Sequence, residues 1–208
     1  DRNVAIGMNA SQQFVGDGST NNQNGYNTAV GFQAGKAMTS GTVNTLVGSL
    51  TGDVLTTGNS NTVLGYAALS SETAGHRNVA IGNEALFTQN NTSSTNAYNT
   101  AVGYHAGKTI DTGVNNTLIG GLAGDALTDG TRNIAVGTST LGAETSGHRN
   151  VAIGAEALMT QNGASYNTAI GDSAGKLVST GTFNTLIGTE AADALTTGVG
   201  TTVLGAEA

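Results

Sequence analysis

The sequence predicts an all-β fold, a parallel β-solenoid of about twelve 17-residue coils, and three observations carry that expectation. A five-residue unit recurs along the whole chain: Asn, a β-branched residue, two aliphatic residues and Gly. Its spacing of 17 residues is short for a pair of helices. The composition opposes both a helical repeat and a compact core of bulky side chains, with 32 Gly, 4% aromatics and no Pro, Cys or Trp in 208 residues. Apolar residues still reach 38%, which opposes disorder.

The strands follow in order from unit starts at 3, 27, 44, 61, 78, 99, 116, 133, 150, 167, 184 and 201, the last with Thr201 in place of Asn. The first interval is 24 residues and the fifth is 21, so the period carries one insertion of seven residues and one of four. The units form a cycle of four types, and His-Arg-Asn-Val-Ala-Ile-Gly stands at both 76–82 and 148–154. Both insertions fall at the same point of the cycle.

Within a unit, position two is Thr, Val or Ile and position four is Val, Ile or Leu in all twelve copies. These positions share one strand face. Position three, on the other face, is Ala, Leu or Val throughout. A strand apolar on both faces needs cover on both. Position five is always Gly, as a bend or a close backbone approach requires. Ala at position eight, in ten of twelve copies, marks a tightly packed second segment, and turns such as Thr56-Thr57-Gly58 close the coil. Coils stacked ~4.8 Å apart make a rod on the order of 58 Å long.

The stacking assigns roles to polar residues. Lys36 and Asp53, Lys108 and Asp125, and Lys176 and Asp193 are each 17 apart, so they are expected to form inter-coil salt bridges that fix register. The position-one asparagines are expected to form a ladder of amides between coils. A single roll has one interior, so a symmetry partner is the economical cover for the second face, and a homotrimer is expected.

Other features bound the function. A net charge of −7 with seven scattered basic residues argues against nucleic acid. No apolar run reaches the ~18 residues of a membrane span, so direct membrane insertion is not expected. No signal peptide opens the chain, which starts inside a repeat, as expected of a fragment (residues 1–208, one repeat region) of a longer fibre. Absence of Cys excludes disulfides and thiolate metal sites.

Asn27-Thr28-Ala29-Val30-Gly31-Phe32-Gln33-Ala34 and Asn99-Thr100-Ala101-Val102-Gly103-Tyr104-His105-Ala106 carry a family resemblance. They resemble the Asn-Ser-Val-Ala-Ile-Gly repeats of YadA-like heads in trimeric autotransporter adhesins. They look even more like the Asn-Thr-Ala-Val-Gly-Tyr-x-Ala repeats of phage tail fibres and related bacterial surface fibres. The resemblance covers nearly the whole chain outside the insertions. It implies a left-handed roll, three chains about one axis, an extracellular place on a bacterial surface or virion tail fibre, and a role in adhesion or host recognition. The autotransporter head period is shorter than 17, so its coil shape is not carried over.

Candidate sites are few. His76-Arg77 and His148-Arg149 read either as ligands for an anion or metal near a trimer axis, or as surface residues paired with Glu72 and Glu144; the second reading is favoured. No Ser-His-Asp set is evident among the three histidines. Asp17-x-Ser19-x-Asn21 mimics the start of a calcium loop, but Asn22 and Thr28 occupy the positions of its Gly and its closing acid. Gly16-Asp17-Gly18 and Gly198-Val199-Gly200 lack the lysine and the strand–turn–helix context of a phosphate loop. No catalytic residue, metal or cofactor is expected.

The insertions, near 13–26 and 89–98, are the candidate contact loops for a cell-surface glycan or protein receptor. They hold Gln13, Asn21, Asn22, Gln23, Asn24 and Tyr26, then Gln89, Asn90, Asn91, Ser93, Ser94, Asn96 and Tyr98. The equivalent junction 161–166 has no extra length yet keeps Tyr166, which points to a structural Tyr. The leading expectation is a non-enzymatic adhesive fibre segment. The alternatives are an ice-binding solenoid, from the recurrent Thr at position two, or a plain spacer stalk. An enzyme would need paired carboxylates, and only Glu84 and Glu156 recur at equivalent positions.

Overall fold

The computed structural model describes residues 2–15 and 25–208, so Asn21, Asn22, Gln23, Asn24 and the calcium-like segment at 17–22 lie outside the described residues. Among the described residues every regular element is a three-residue strand and none is a helix. The strands are β1 (Val4–Ile6), β2 (Thr28–Val30), β3 (Thr45–Val47), β4 (Thr62–Leu64), β5 (Val79–Ile81), β6 (Thr100–Val102), β7 (Thr117–Ile119), β8 (Ile134–Val136), β9 (Val151–Ile153), β10 (Thr168–Ile170), β11 (Thr185–Ile187) and β12 (Thr202–Leu204). All twelve belong to one sheet in sequential order, and the pairs are parallel. The chain is a β-solenoid repeat protein.

Each strand residue pairs with its equivalent one coil further on. Thr28 faces Thr45, and across the two insertions Val4 faces Thr28 and Val79 faces Thr100. Register is therefore kept across both insertions, and in the second Thr92, Ser93 and Ser94 are exposed. A one-residue slip would exchange the two faces of the sheet.

A three-residue strand turns one side chain inward and two outward. Position three is the inward one: Ala29, Leu46, Val63, Ala80, Ala101, Leu118, Ala135, Ala152, Ala169 and Leu186 are fully buried. Positions two and four form the outer face, where Leu64, Ile119, Ile134, Ile153 and Ile170 remain exposed. One chain thus covers only one of the two apolar faces.

The narrow interior is filled by complementary volumes. Leu46 reaches across Gly35, where an added Cβ would lie 2.7 Å from its Cδ1, and Leu118 does the same over Gly107. Where position three shrinks to Ala80 or Ala152, position nine supplies Leu86 or Leu158. Ala at position eight, as in Ala34, Ala68, Ala85 and Ala106, lets the far wall approach the sheet. Position five is Gly because its φ is left-handed and its neighbour is close. Gly82 has φ 138°, and a Cβ there would press into the carbonyl oxygen of Gly103.

The asparagine ladder is present and closes more bonds than expected. Asn27 Oδ1 accepts the Asn44 N–H at 2.9 Å and the Asn44 amide at 3.2 Å, while Asn44 Nδ2 also donates to Gly58 O at 2.9 Å. The pattern repeats to Asn184, whose Oδ1 accepts the Thr201 N–H. These amides are fully buried from Asn44 to Asn167, so each must find partners inside the coil.

Residues just before each Asn sit in the left-handed region although few are Gly: Tyr26, Val43, Ser60, Arg77, Tyr98, Arg149 and Tyr166 have φ between 50° and 63°. Such backbone is disfavoured for L-residues by about 1–2 kcal/mol. Inter-coil hydrogen bonds hold it, as from Arg77 N–H to Asn59 O at 3.0 Å. The same geometry throws these side chains outward in a column beside the outer sheet face.

Candidate functional site

The second insertion sits on a buried polar layer. Glu72 and Glu144 occupy an interior position that is Leu55 or Leu127 one coil earlier, and both are fully buried. Glu72 Oε1 accepts N–H groups of Ala74, Gly75 and Asn91, and its Oε2 accepts Gln89 Nε2 at 2.8 Å and Asn91 Nδ2 at 3.0 Å. Glu144 repeats this with Ser146, Gly147, Gly163 and Gln161. The expected surface pairing of His76 with Glu72 and of His148 with Glu144 is thereby corrected. A carboxylate that receives four or five hydrogen bonds is stable without solvent. Gln89 and Asn91 are corrected with them: they are buried ligands of this carboxylate and do not face a receptor.

The other loop residues among those described are at or near the surface. Ser93, Ser94, Asn96 and Tyr98 are exposed, and Asn90 is half-buried, accepting the Thr73 hydroxyl at 3.0 Å. In the first loop Gln13 and Tyr26 are exposed.

Tyr98 is held by a partner that lies one coil earlier. Arg77 Nη1 donates to the Tyr98 hydroxyl and to Asn96 Oδ1, each at 2.8 Å, with its guanidinium 5.4 Å from the ring centroid. Arg2 with Tyr26 and Arg149 with Tyr166 repeat the pair. The signal was in the repeat: each Arg stands one residue before an Asn, and each Tyr occupies that position in the next coil. Such a stacked pair adds cation–π attraction to a hydrogen bond.

Beside Arg77 lies a shallow cavity of about 200 Å³, lined by Asn59, Ser60, His76 and Arg77 and, from the insertion, Ser94 and Asn96. Asn59 N–H donates to His76 Nδ1 at 2.8 Å, and His76 Nε2 lies 2.6 Å from Ser94 Oγ. Burial first, then the Arg77 charge, push His76 below the usual imidazole range, against the pull of Glu72.

The lysine ladder is rearranged. Lys108 pairs with Glu84 at 2.7 Å, joined by His105 at 3.1 Å, and Lys176 pairs with Glu156. None of the three expected Lys–Asp bridges is among the ion pairs of the described residues, so the expectation for Lys36–Asp53, Lys108–Asp125 and Lys176–Asp193 is corrected. Asp53 has a nearer partner: its Oδ1 accepts the Ser70 hydroxyl at 2.6 Å. Lys108 and Lys176 reach back to a Glu in the preceding coil; before Lys36 the equivalent position is Asn9, which carries no charge. Glu84 and Glu156 are four coils apart, ~19 Å, well beyond the separation of paired carboxylates in a glycosidase.

Among the described residues no group of three or more His, Cys, Asp and Glu is placed to hold a metal ion, and no helix is long and apolar enough to cross a membrane. Comparison with family models, with curated proteins and with solved structures finds no match to this chain.

Proposed function

We propose that this chain is a non-enzymatic segment of an extracellular structural and adhesive fibre, a homotrimer that displays polar loops to a cell-surface glycan or protein receptor. The outer sheet face carries this reading. Position-two and position-four side chains run in register along the whole rod, and Leu64, Ile119, Ile134, Ile153 and Ile170 are exposed on one chain. A contiguous apolar strip of that kind marks an association surface. Three copies packed by that face bury the strip. The repeat resemblance to adhesin heads and tail fibres points the same way, with a left-handed roll as its geometry. Light scattering at micromolar concentration should give three times 20.6 kDa; a monomer mass would remove the reading.

The same face favours one second reading. Thr28, Thr45 and Thr62 are stacked in register, as are Thr100 with Thr117 and Thr168 with Thr185 and Thr202. A regular, flat, outward Thr column suits ice binding, although Val79, Ile134 and Val151 interrupt it. Thermal hysteresis from a monomeric rod would favour ice; a trimer without hysteresis favours the fibre.

A further inference from the structure

We propose that the cavity built by the second insertion binds the carboxylate-bearing end of an acidic saccharide. This rests on the fibre reading and gives its loop a ligand class. The cavity has Arg77 at its wall and no acidic side chain in its lining, on a chain of net charge −7.

The internal hydrogen bonds decide what the lining offers. Asn96 Oδ1 is used by Arg77, and Asn59 Oδ1 by the Thr42 N–H and hydroxyl at 2.7 and 3.2 Å. Each amide therefore has its Nδ2 donor left to offer. His76 Nδ1 receives the Asn59 N–H, so the ring proton is on Nε2 and is donated to Ser94 Oγ. That leaves the Ser94 hydroxyl hydrogen free to donate in turn. The amide oxygens and the imidazole acceptor are consumed inside the protein, and a guanidinium, two amides and the hydroxyls of Ser60 and Ser94 remain to donate. The complementary ligand is an anion surrounded by further oxygen acceptors, which describes a sugar acid with its ring and side-chain hydroxyls. Arg77 meets the carboxylate, since a planar guanidinium suits two-pronged carboxylate binding. At about 200 Å³ the cavity is smaller than sites that enclose a whole small molecule. It fits the end of a longer chain approaching from solvent.

The test is titration of the intact 208-residue chain by saturation-transfer NMR with 3′-sialyllactose, lactose and sodium acetate. Saturable binding is expected for sialyllactose, with lactose inert and acetate at least about tenfold weaker. Arg77→Gln should weaken sialyllactose by about tenfold or more, and Arg149→Gln, at the sister junction without the insertion, should leave it unchanged. Should Arg77→Gln melt early, Asn96→Leu is the second variant: it removes the free Nδ2 donor and the acceptor that holds Arg77, and should weaken sialyllactose as well. Equal binding of lactose, equal binding of acetate, no saturable binding, or full affinity in both variants each overturns the site. Chain mass is read separately, so a trimer that ignores sialyllactose keeps the fibre and loses only this ligand.

Discussion

A buried carboxylate shows how much this rod depends on single residues. Replacing Glu144 by Ala would strand Gln161 Nε2 and the N–H groups of Ser146, Gly147 and Gly163 inside the coil. A loss of at least about 1–3 kcal/mol in chemical denaturation is expected, the cost of leaving even one buried donor unsatisfied. Glu84 is a milder case. Its bonds to Lys108 hold its carboxyl below the usual Glu range. A depressed folded value means the unfolded chain binds more protons, so this contribution is present above the ordinary Glu value and is lost as pH falls through the folded one. A melting-temperature profile of Glu84→Gln should be flatter than the parent's on the acid side. Identical profiles would show that the ion pair contributes nothing.

At the scale of one strand, neighbouring residues face opposite worlds. Ala152 is fully buried and Ile153 is 38% exposed on one chain. Ala152→Asp should prevent folding, because an unpaired carboxylate would enter an interior with no room or partner. Ile153→Asp should keep the β-sheet circular dichroism spectrum yet yield monomers, if the outer face is the trimer interface. An Ile153→Asp chain that unfolds like Ala152→Asp would mean that this face supports the coil itself; one that stays trimeric would place the interface elsewhere.

At the scale of the whole molecule, each coil contacts only its neighbours, so stability is a sum of coil and interface contributions. Residues 92–94 of the second insertion are exposed and add little to that sum, since β5 and β6 pair in register across 21 residues as other strands do across 17. Deleting residues 92–95 should therefore leave the melting temperature within a few degrees of the parent and weaken attachment to cells or glycans. Undiminished attachment would assign recognition to the coil faces.

The period, the strands and the register were legible in the amino-acid sequence, because a solenoid repeats its local environment and so repeats its residues. The Gly at position five and the Asn ladder belong to that legible part: one backbone approach and one buried amide recur in each coil. Which strand face turns inward was not legible, since positions two, three and four are all apolar and the choice depends on where the far wall of the coil lies. The role of Glu72 and Glu144 was hidden for a similar reason. Their turn-like neighbours read as surface, and only the closed coil shows five-fold and four-fold hydrogen bonding inside. The lysine partners were misread because spacing of 17 gives height along the rod but not side-chain reach. Tertiary structure alone decided that a Lys bends back to the previous coil's Glu and that Asn59, Ser60, His76 and Arg77 share one shallow cavity with Ser94 and Asn96 of the insertion.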